Sequence, residues 1–274
     1  MRKSRIKAKL AQDKPVLCIQ LHFIDQSVHE LTALLGYDGI WMDMEHHNYS
    51  VQTANGLMRA ARAGGNCDVV ARPGKGEFMR MARMLEGGAH GIMYPRCDDA
   101  AETAEVVKWA KFAPMGKRGF DGGNPDMPYC GMPMGDYMKK ANEETFLIIQ
   151  LEEQHAVDRA EEIGAVDGAD ILFLGPGDFT CLSGFPGQFD HPKLWKAYET
   201  IAKAAEKTGK HWGTPAFNAE HAKKLMDMGC RFFCHSADLV ILKQGLERII
   251  DDFSPLGFEF DNHIASEAKS YLQG

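Results

Sequence analysis

Short apolar runs alternate with amphipathic stretches eight times along this chain of 274 residues. The apolar runs are Val16–Phe23, Gly39–Asp43, Asp68–Arg72, Gly91–Tyr94, Thr145–Leu151, Asp170–Leu174, His211–Pro215 and Arg231–Cys234. Several are apolar without interruption, which is the pattern of a parallel strand buried on both faces. The stretches between them predict helices over Gln26–Leu35, Ser50–Arg62, Glu77–Leu85, Ala100–Phe112, Ala156–Ile163, Lys193–Thr208, Glu220–Met228 and Leu239–Phe253. Gly36, Gly64-Gly65, Gly209 and Gly229 stand where helices should stop, and Ser50 stands where one can be capped. The longest irregular segment runs from Ala113 to about Pro133 and is rich in Gly, Pro and Met.

Eight βα units in a chain of this length predict a single (β/α)8 TIM barrel of parallel strands, with its active site at the C-terminal strand ends. The competitor is an open doubly wound sheet. That fold usually carries a glycine-rich phosphate turn after its first strand, and Phe23-Ile24-Asp25-Gln26-Ser27 has no glycine. Gly74-Lys75-Gly76 reads as a turn. The expected organisation is one domain over 1–274, with a short basic N-terminal segment (about 1–13) and a C-terminal tail (about 254–274). Blandly read, the basic segment is a solvated terminal helix.

Composition narrows the function classes. The net charge is −7, and no basic face stands out beyond the N-terminal cluster, which argues against nucleic-acid binding. No apolar run approaches the roughly 20 residues of a membrane span, and none follows the N-terminal basic stretch as a signal peptide would require. Seven scattered cysteines with no Cys-x-x-Cys suit free thiols in a reducing cytoplasm better than a zinc site.

In a barrel, strand ends share one mouth, so Asp43, Glu45, His46, Arg72, Gln150, Glu152 and Asp178 are brought together. Glu152 and Asp178 offer oxygen only. Two carboxylates and water suit Mg²⁺ or Mn²⁺, with Co²⁺ a further candidate, and open positions would accept a chelating 2-oxo acid such as pyruvate. The cation would act as a Lewis acid on an enolate oxygen. On spacing alone the same two acids also read as solvated strand ends, with Asp178 as a helix N-cap. Arg72 could hold a developing oxyanion or a structural salt bridge. His46 could move protons, oriented by Asp43 or Glu45, although the adjacent His47 dilutes the signal. Gly175-Pro176-Gly177-Asp178 could present backbone N–H groups to a carboxylate, or be an ordinary turn. No predicted strand contains a lysine, so a Schiff-base route has no buried amine.

Six segments, in order, resemble the HpcH/HpaI aldolase family. Gly36-Tyr37-Asp38-Gly39-Ile40-Trp41-Met42-Asp43-Met44-Glu45-His46 is similar to its Gly-aromatic-Asp…Asp-x-Glu-His segment. Val70-Ala71-Arg72-Pro73 resembles its Val-Arg-Pro, and Gly88–Pro95 its Gly-Ala-x-apolar-Pro strand. Gly116-Lys117-Arg118-Gly119, Gln150-Leu151-Glu152 and Phe173–Asp178 resemble Gly-x-Arg-Gly, Gln-Val/Ile-Glu and Ile/Phe-Gly-Pro-x-Asp. The resemblance implies reversible, metal-dependent cleavage of a 4-hydroxy-2-oxo acid to pyruvate, or a close 2-oxo acid, and an aldehyde. It implies Glu152 and Asp178 as metal ligands and Arg72 on the keto or enolate oxygen. His46, paired with Asp43, takes the base role. Gln150 lies beside the substrate or metal, and the amides of Gly177 and Asp178 take the pyruvyl carboxylate. It also implies a homohexamer, a trimer of dimers. Oxaloacetate decarboxylation, a carbon–carbon lyase reaction on a CoA ester and a relict binding barrel are the alternatives.

The chain departs from the family pattern in four places. His47-Asn48-Tyr49 stands where Ala-Pro-Asn is usual, Phe179 follows Asp178 in place of Leu, and Cys234-His235-Ser236-Ala237-Asp238 replaces a Gly-containing strand end. The loop 122–137 is rich in Met and Pro, which suits a subunit contact or the acceptor pocket.

Overall fold

The structure, a computed structural model, describes residues 2–264, so Met1 and the last part of the expected tail lie outside the described residues. The elements run α1 (Arg5–Leu10), β1 (Val16–Leu21), α2 (Gln26–Leu34), β2 (Gly39–Asp43), α3 (Val51–Gly64), β3 (Asp68–Arg72), α4 (Phe78–Gly87), β4 (Gly91–Tyr94), α5 (Ala100–Ala110) and α6 (Met134–Glu144). They continue β5 (Phe146–Leu151), α7 (Gln154–Asp158), α8 (Ala160–Gly164), β6 (Ile171–Leu174), α9 (Pro176–Leu182), α10 (Pro192–Thr208), β7 (His211–Pro215), α11 (Ala219–Asp227), β8 (Phe232–Ala237) and α12 (Asp238–Phe253). Each strand pairs in parallel with the next, and β8 pairs with β1, so the sheet closes. The fold is a (β/α)8 TIM barrel.

The parity of side chains along the strands divides the core in two. Trp41, Val70, Ile148 and Phe173 point inward and pack with one another, while Met42, Ala71, Ile149 and Leu172 point outward into the layer beneath the helices. Alternation with a period of two then fixes what comes next on the inner side. Asp43, Arg72, Gln150 and Gly175 each follow an inward residue by two, and Glu152 follows by four. The strand pattern therefore delivers these residues to the mouth of the barrel.

The other end is closed by α1, and here the expectation of a solvated terminal helix is corrected. Ile6 and Leu10, one turn apart, are buried in the inner core cluster. The Asp68 carboxylate accepts from Ser4 Oγ at 2.6 Å and from the Ile6 amide at 2.9 Å. Arg5 and Lys9 both pair with Asp38 at 2.7 Å. The basic residues flank an apolar stripe that plugs the barrel floor.

Three further differences have local causes. The first strand stops at Leu21 rather than Phe23, because the His22 and Phe23 amides turn to the Asp238 carboxylate. The predicted helix 156–163 is two short helices that meet at Arg159. Pro176 opens α9, with Gly175 at its cap and Asp178 in its first turn, so Asp178 is not the N-cap. Among the described residues no helix is long and apolar enough to cross a membrane, and all seven cysteines are free.

Candidate active site

One cavity of about 470 Å³ opens at the carboxyl ends of the strands, and Asp43, His46, Arg72, Gln150, Glu152, Gly177 and Asp178 all line it. The structure thus brings these seven together, while Glu45, also expected at the mouth, pairs with Arg72 Nε at 3.3 Å without being one of the lining residues. The pairings within the set are partly different from those expected.

Asp43 and Arg72, the last residues of two neighbouring strands held in register, form a two-pronged ion pair. Arg72 Nε donates to Asp43 Oδ1 at 2.9 Å and Nη2 donates to Oδ2 at 2.6 Å. Asp43 is fully buried and Arg72 nearly so. Burial alone would raise the Asp43 pKa, but the hydrogen bonds and charge of Arg72 outweigh it and hold the carboxyl below its usual range. The guanidinium also lies 4.7 Å over the Trp41 ring, and its Nη1 reaches Gln150 Oε1 at 3.4 Å. Locked on three sides, it presents a fixed positive charge to the cavity.

The expected pairing of His46 with Asp43 is not what the structure shows. The Glu45 and His46 amides both turn back to Asp43 Oδ1, at 3.0 and 3.4 Å, which curls the chain at the strand end. The curl sends the His46 ring outward, with its side chain 59% exposed and Nε2 3.7 Å from Glu45 Oε2. His47 returns over Asp43 instead, with Nδ1 3.4 Å from Oδ2 but not aligned for a hydrogen bond. Its ring meets His22 edge-on at 4.4 Å. Burial pulls the His47 pKa down, Asp43 pulls it up, and the fall wins.

Glu152 sits at the centre of the wall, only 2% exposed. Its Oε1 accepts from Gln150 Nε2 and its Oε2 from the Arg96 amide, both at 3.1 Å. Burial pushes its pKa up to about 8; Arg72 opposes this, and the charges of Asp178 and Glu45 add to it. Two acids within electrostatic reach, one of them buried, leave the cavity short of positive charge. Among the described residues no three His, Cys, Asp or Glu side chains converge on a point, and the two acids are Glu152 and Asp178. Gly175 makes room for one of them: a Cβ there would collide with the Glu152 carboxylate and approach its Cγ to 2.8 Å. Gly175→Ala should therefore leave the fold intact but displace Glu152. We expect any catalytic turnover that this site supports to fall by about 10²-fold, in line with the loss when site geometry shifts by an ångström. Kinetics together with thermal melts would check this, and unchanged turnover would remove the packing argument.

Residues 22–242 match the HpcH/HpaI aldolase/citrate lyase family. The chain belongs to that family. It is 31% identical over 239 residues to a hydroxypyruvate/pyruvate aldolase of Delftia acidovorans, covering 87% of this chain and 88% of the relative. It is 30% identical to a 2-keto-3-deoxy-L-rhamnonate aldolase of Klebsiella pneumoniae, covering 80% of this chain and 81% of that one. The crystal structure of an HpcH/HpaI aldolase from Desulfitobacterium hafniense superposes with a TM-score of 0.86 at 28% identity, covering 93% of this chain and 98% of that one.

Beyond the HpcH/HpaI motifs, the cavity also takes in His22, Phe189, Phe217, His235 and Ser236. The sequence offered one signal for these, the unusual Cys234–Asp238 strand end. There β8 carries an extra residue against β1, with Ser236 at φ 60°, and the resulting bulge turns His235 so that Nδ1 lies 2.7 Å from the Ala216 carbonyl.

Proposed function

We propose that the protein is a divalent-metal-dependent aldolase, cleaving a 4-hydroxy-2-oxo acid reversibly to pyruvate, or a close 2-oxo acid, and an aldehyde. The observation that carries this reading is the presence of the Glu152–Asp178 acid pair and the locked Arg72–Asp43 ion pair in one cavity. Glu152 and Asp178 fit a hard cation, since they give oxygen ligands only and a cation between them would offset the charge that burial and Asp178 make costly on Glu152. Bound there, Mg²⁺ or Mn²⁺ would supply Lewis acidity next to an oxygen that becomes negative.

The chain's own residues supply the rest. The first-turn amides of Gly177 and Asp178 have no acceptor within α9 and would hold the substrate carboxylate. Arg72, with no proton to lose, holds the C2 oxygen, and Asp43 fixes the plane of its guanidinium. Gln150 bridges Arg72 and Glu152. A base takes the proton of the C4 hydroxyl. The C3–C4 bond then breaks, its electron pair passes to the C2 oxygen as an enolate, and the aldehyde leaves. Protonation at C3 gives the methyl group of pyruvate. His46, an exposed imidazole at the mouth with Glu45 as its neighbour, takes the C4 hydroxyl proton. Pyruvate release from a panel of 4-hydroxy-2-oxo acids, with and without Mn²⁺, tests the reading; release that is equal in both arms would overturn it. The CoA-ester reading gains nothing from the cavity, because among the described residues Arg72 is the one lysine or arginine that lines it.

We also propose a cytoplasmic homo-oligomer, in keeping with the free thiols and with α12. Leu239, Leu242, Leu246, Ile249 and Phe253 on that helix recur at intervals of three and four and stand exposed. Leu31, Leu34 and Leu35 at the end of α2 are exposed as well. Such a stripe is of the kind that another copy covers. Light scattering should give a mass well above 30.4 kDa, and Leu246→Glu with Ile249→Glu should lower it. A monomeric wild type would dispose of the idea.

A further inference from the structure

The donor half of the reaction, as read above, occupies the β3, β5 and β6 sides of the mouth through Arg72, Glu152 and Asp178. The aldehyde fragment must extend from the cleaved bond toward what remains, the side formed by β7, β8 and β1. That side has a different character. Phe217 follows β7 and Phe189 comes from the loop between α9 and α10; their rings lie 4.4 Å apart at a 36° tilt. His221 stacks behind Phe217 at 4.8 Å and 19°, so the shelf is backed by a second ring. Ala216 and Cys234, both buried, continue the apolar surface.

The fixed charges around this side are acidic ones behind it or across the cavity. Among the described residues no lysine or arginine lines it, and Arg72 across the cavity is already engaged by Asp43. Asp43, Glu152 and Asp178 line the same cavity, and Asp238 lies behind His22 with its Oδ1 3.2 Å from Nδ1. An anionic aldehyde would leave water for a site with no free counter-charge, an unfavourable exchange. The polar groups present are imidazoles. The Ala216 carbonyl can only accept, so His235 donates from Nδ1, and its Nε2 remains as an acceptor while the ring is neutral. A hydroxyl on the aldehyde fragment could donate there.

We propose that the aldehyde fragment taken by this site is an uncharged, aromatic-sized one, seated on the Phe189–Phe217 shelf. This inference rests on the aldolase reading. A cavity of about 470 Å³ has room for such a fragment beside a three-carbon donor.

The test uses the full-length protein with Mn²⁺ and pyruvate as donor. Aldol addition is measured with benzaldehyde, 3-carboxybenzaldehyde and acetaldehyde, and deuterium exchange into the pyruvate methyl group is followed without any aldehyde. Benzaldehyde should exceed 3-carboxybenzaldehyde in kcat/KM by at least roughly tenfold, and should also exceed acetaldehyde. In Phe217→Ala, and in the milder Phe217→Leu, the ratio of benzaldehyde to acetaldehyde should fall severalfold, a comparison made within each variant. Equal or better use of the carboxylated ring, or a ratio unmoved in both variants, would overturn the assignment while methyl exchange upholds the aldolase reading. Absence of metal-dependent exchange in the wild type would remove both.

Discussion

Arg72→Lys is expected to lower kcat/KM for metal-supported cleavage by about 10²- to 10³-fold, with the barrel still folded. The lysine keeps a positive charge near Asp43, so the buried carboxylate is not left alone. It cannot reproduce the fork, in which Nε and Nη2 meet two oxygens of Asp43 while Nη1 points to Gln150. An ammonium on a flexible stem is a point charge without a fixed plane, and it has no stacking preference for Trp41. Stabilisation of a developing oxyanion depends on a donor already in place, which is the property lost. Arg72→Ala differs in kind. It strands a fully buried Asp43 without a partner, and a broken buried pair costs about 3–5 kcal/mol. The alanine variant should therefore lose both activity and stability, and the lysine variant mainly activity. Steady-state kinetics alongside thermal melts separate the two losses. Turnover near wild type in the lysine variant would take Arg72 out of its assigned role.

Arg72 is legible in the sequence through strand parity. Once Val70 is inside, residue 72 must be too, and the same holds for Trp41 with Asp43 and Ile148 with Gln150. Side-chain direction beyond the last strand residue has no such rule. Whether His46 or His47 turns back over Asp43 is decided by two amide hydrogen bonds in the curl, and spacing alone does not carry that information. The plug helix was hidden for another reason. Ile6 and Leu10 are two apolar residues among five basic ones, and a net-charge reading sees only the majority. The Phe189–Phe217 shelf joins residues 28 positions apart on two loops, and neither loop has a periodic pattern. For α12 the apolar stripe is plain in the sequence, but a stripe does not say which body covers it.

Glu152→Gln should abolish metal-supported turnover and yet stabilise the metal-free protein at neutral and alkaline pH. The two effects have one origin. Burial raises the Glu152 pKa from its ordinary value to about 8 in the folded chain. Between about pH 4.5 and 8 the folded state therefore holds a proton that the unfolded state has released, and metal-free stability declines as pH rises through that window. Above the folded pKa the loss is complete and the slope vanishes. Glutamine carries no charge to desolvate, keeps an oxygen for the Arg96 amide, and should flatten the profile. It also removes one of the two anionic oxygen donors. Added Mn²⁺ should then raise the melting temperature of the wild type, which gains by ligand binding to the native state, and leave that of Glu152→Gln nearly unmoved. Asp178→Asn should lose the metal response in the same way, and because Asp178 adds to the upward push on Glu152, the remaining pH slope should become shallower. Melts across pH, each with and without Mn²⁺, read all of these shifts without depending on the choice of aldehyde. A wild type whose melting temperature ignores the cation, or a glutamine variant that still responds to it, would mean that the acid pair serves the barrel mouth in some way other than holding a metal.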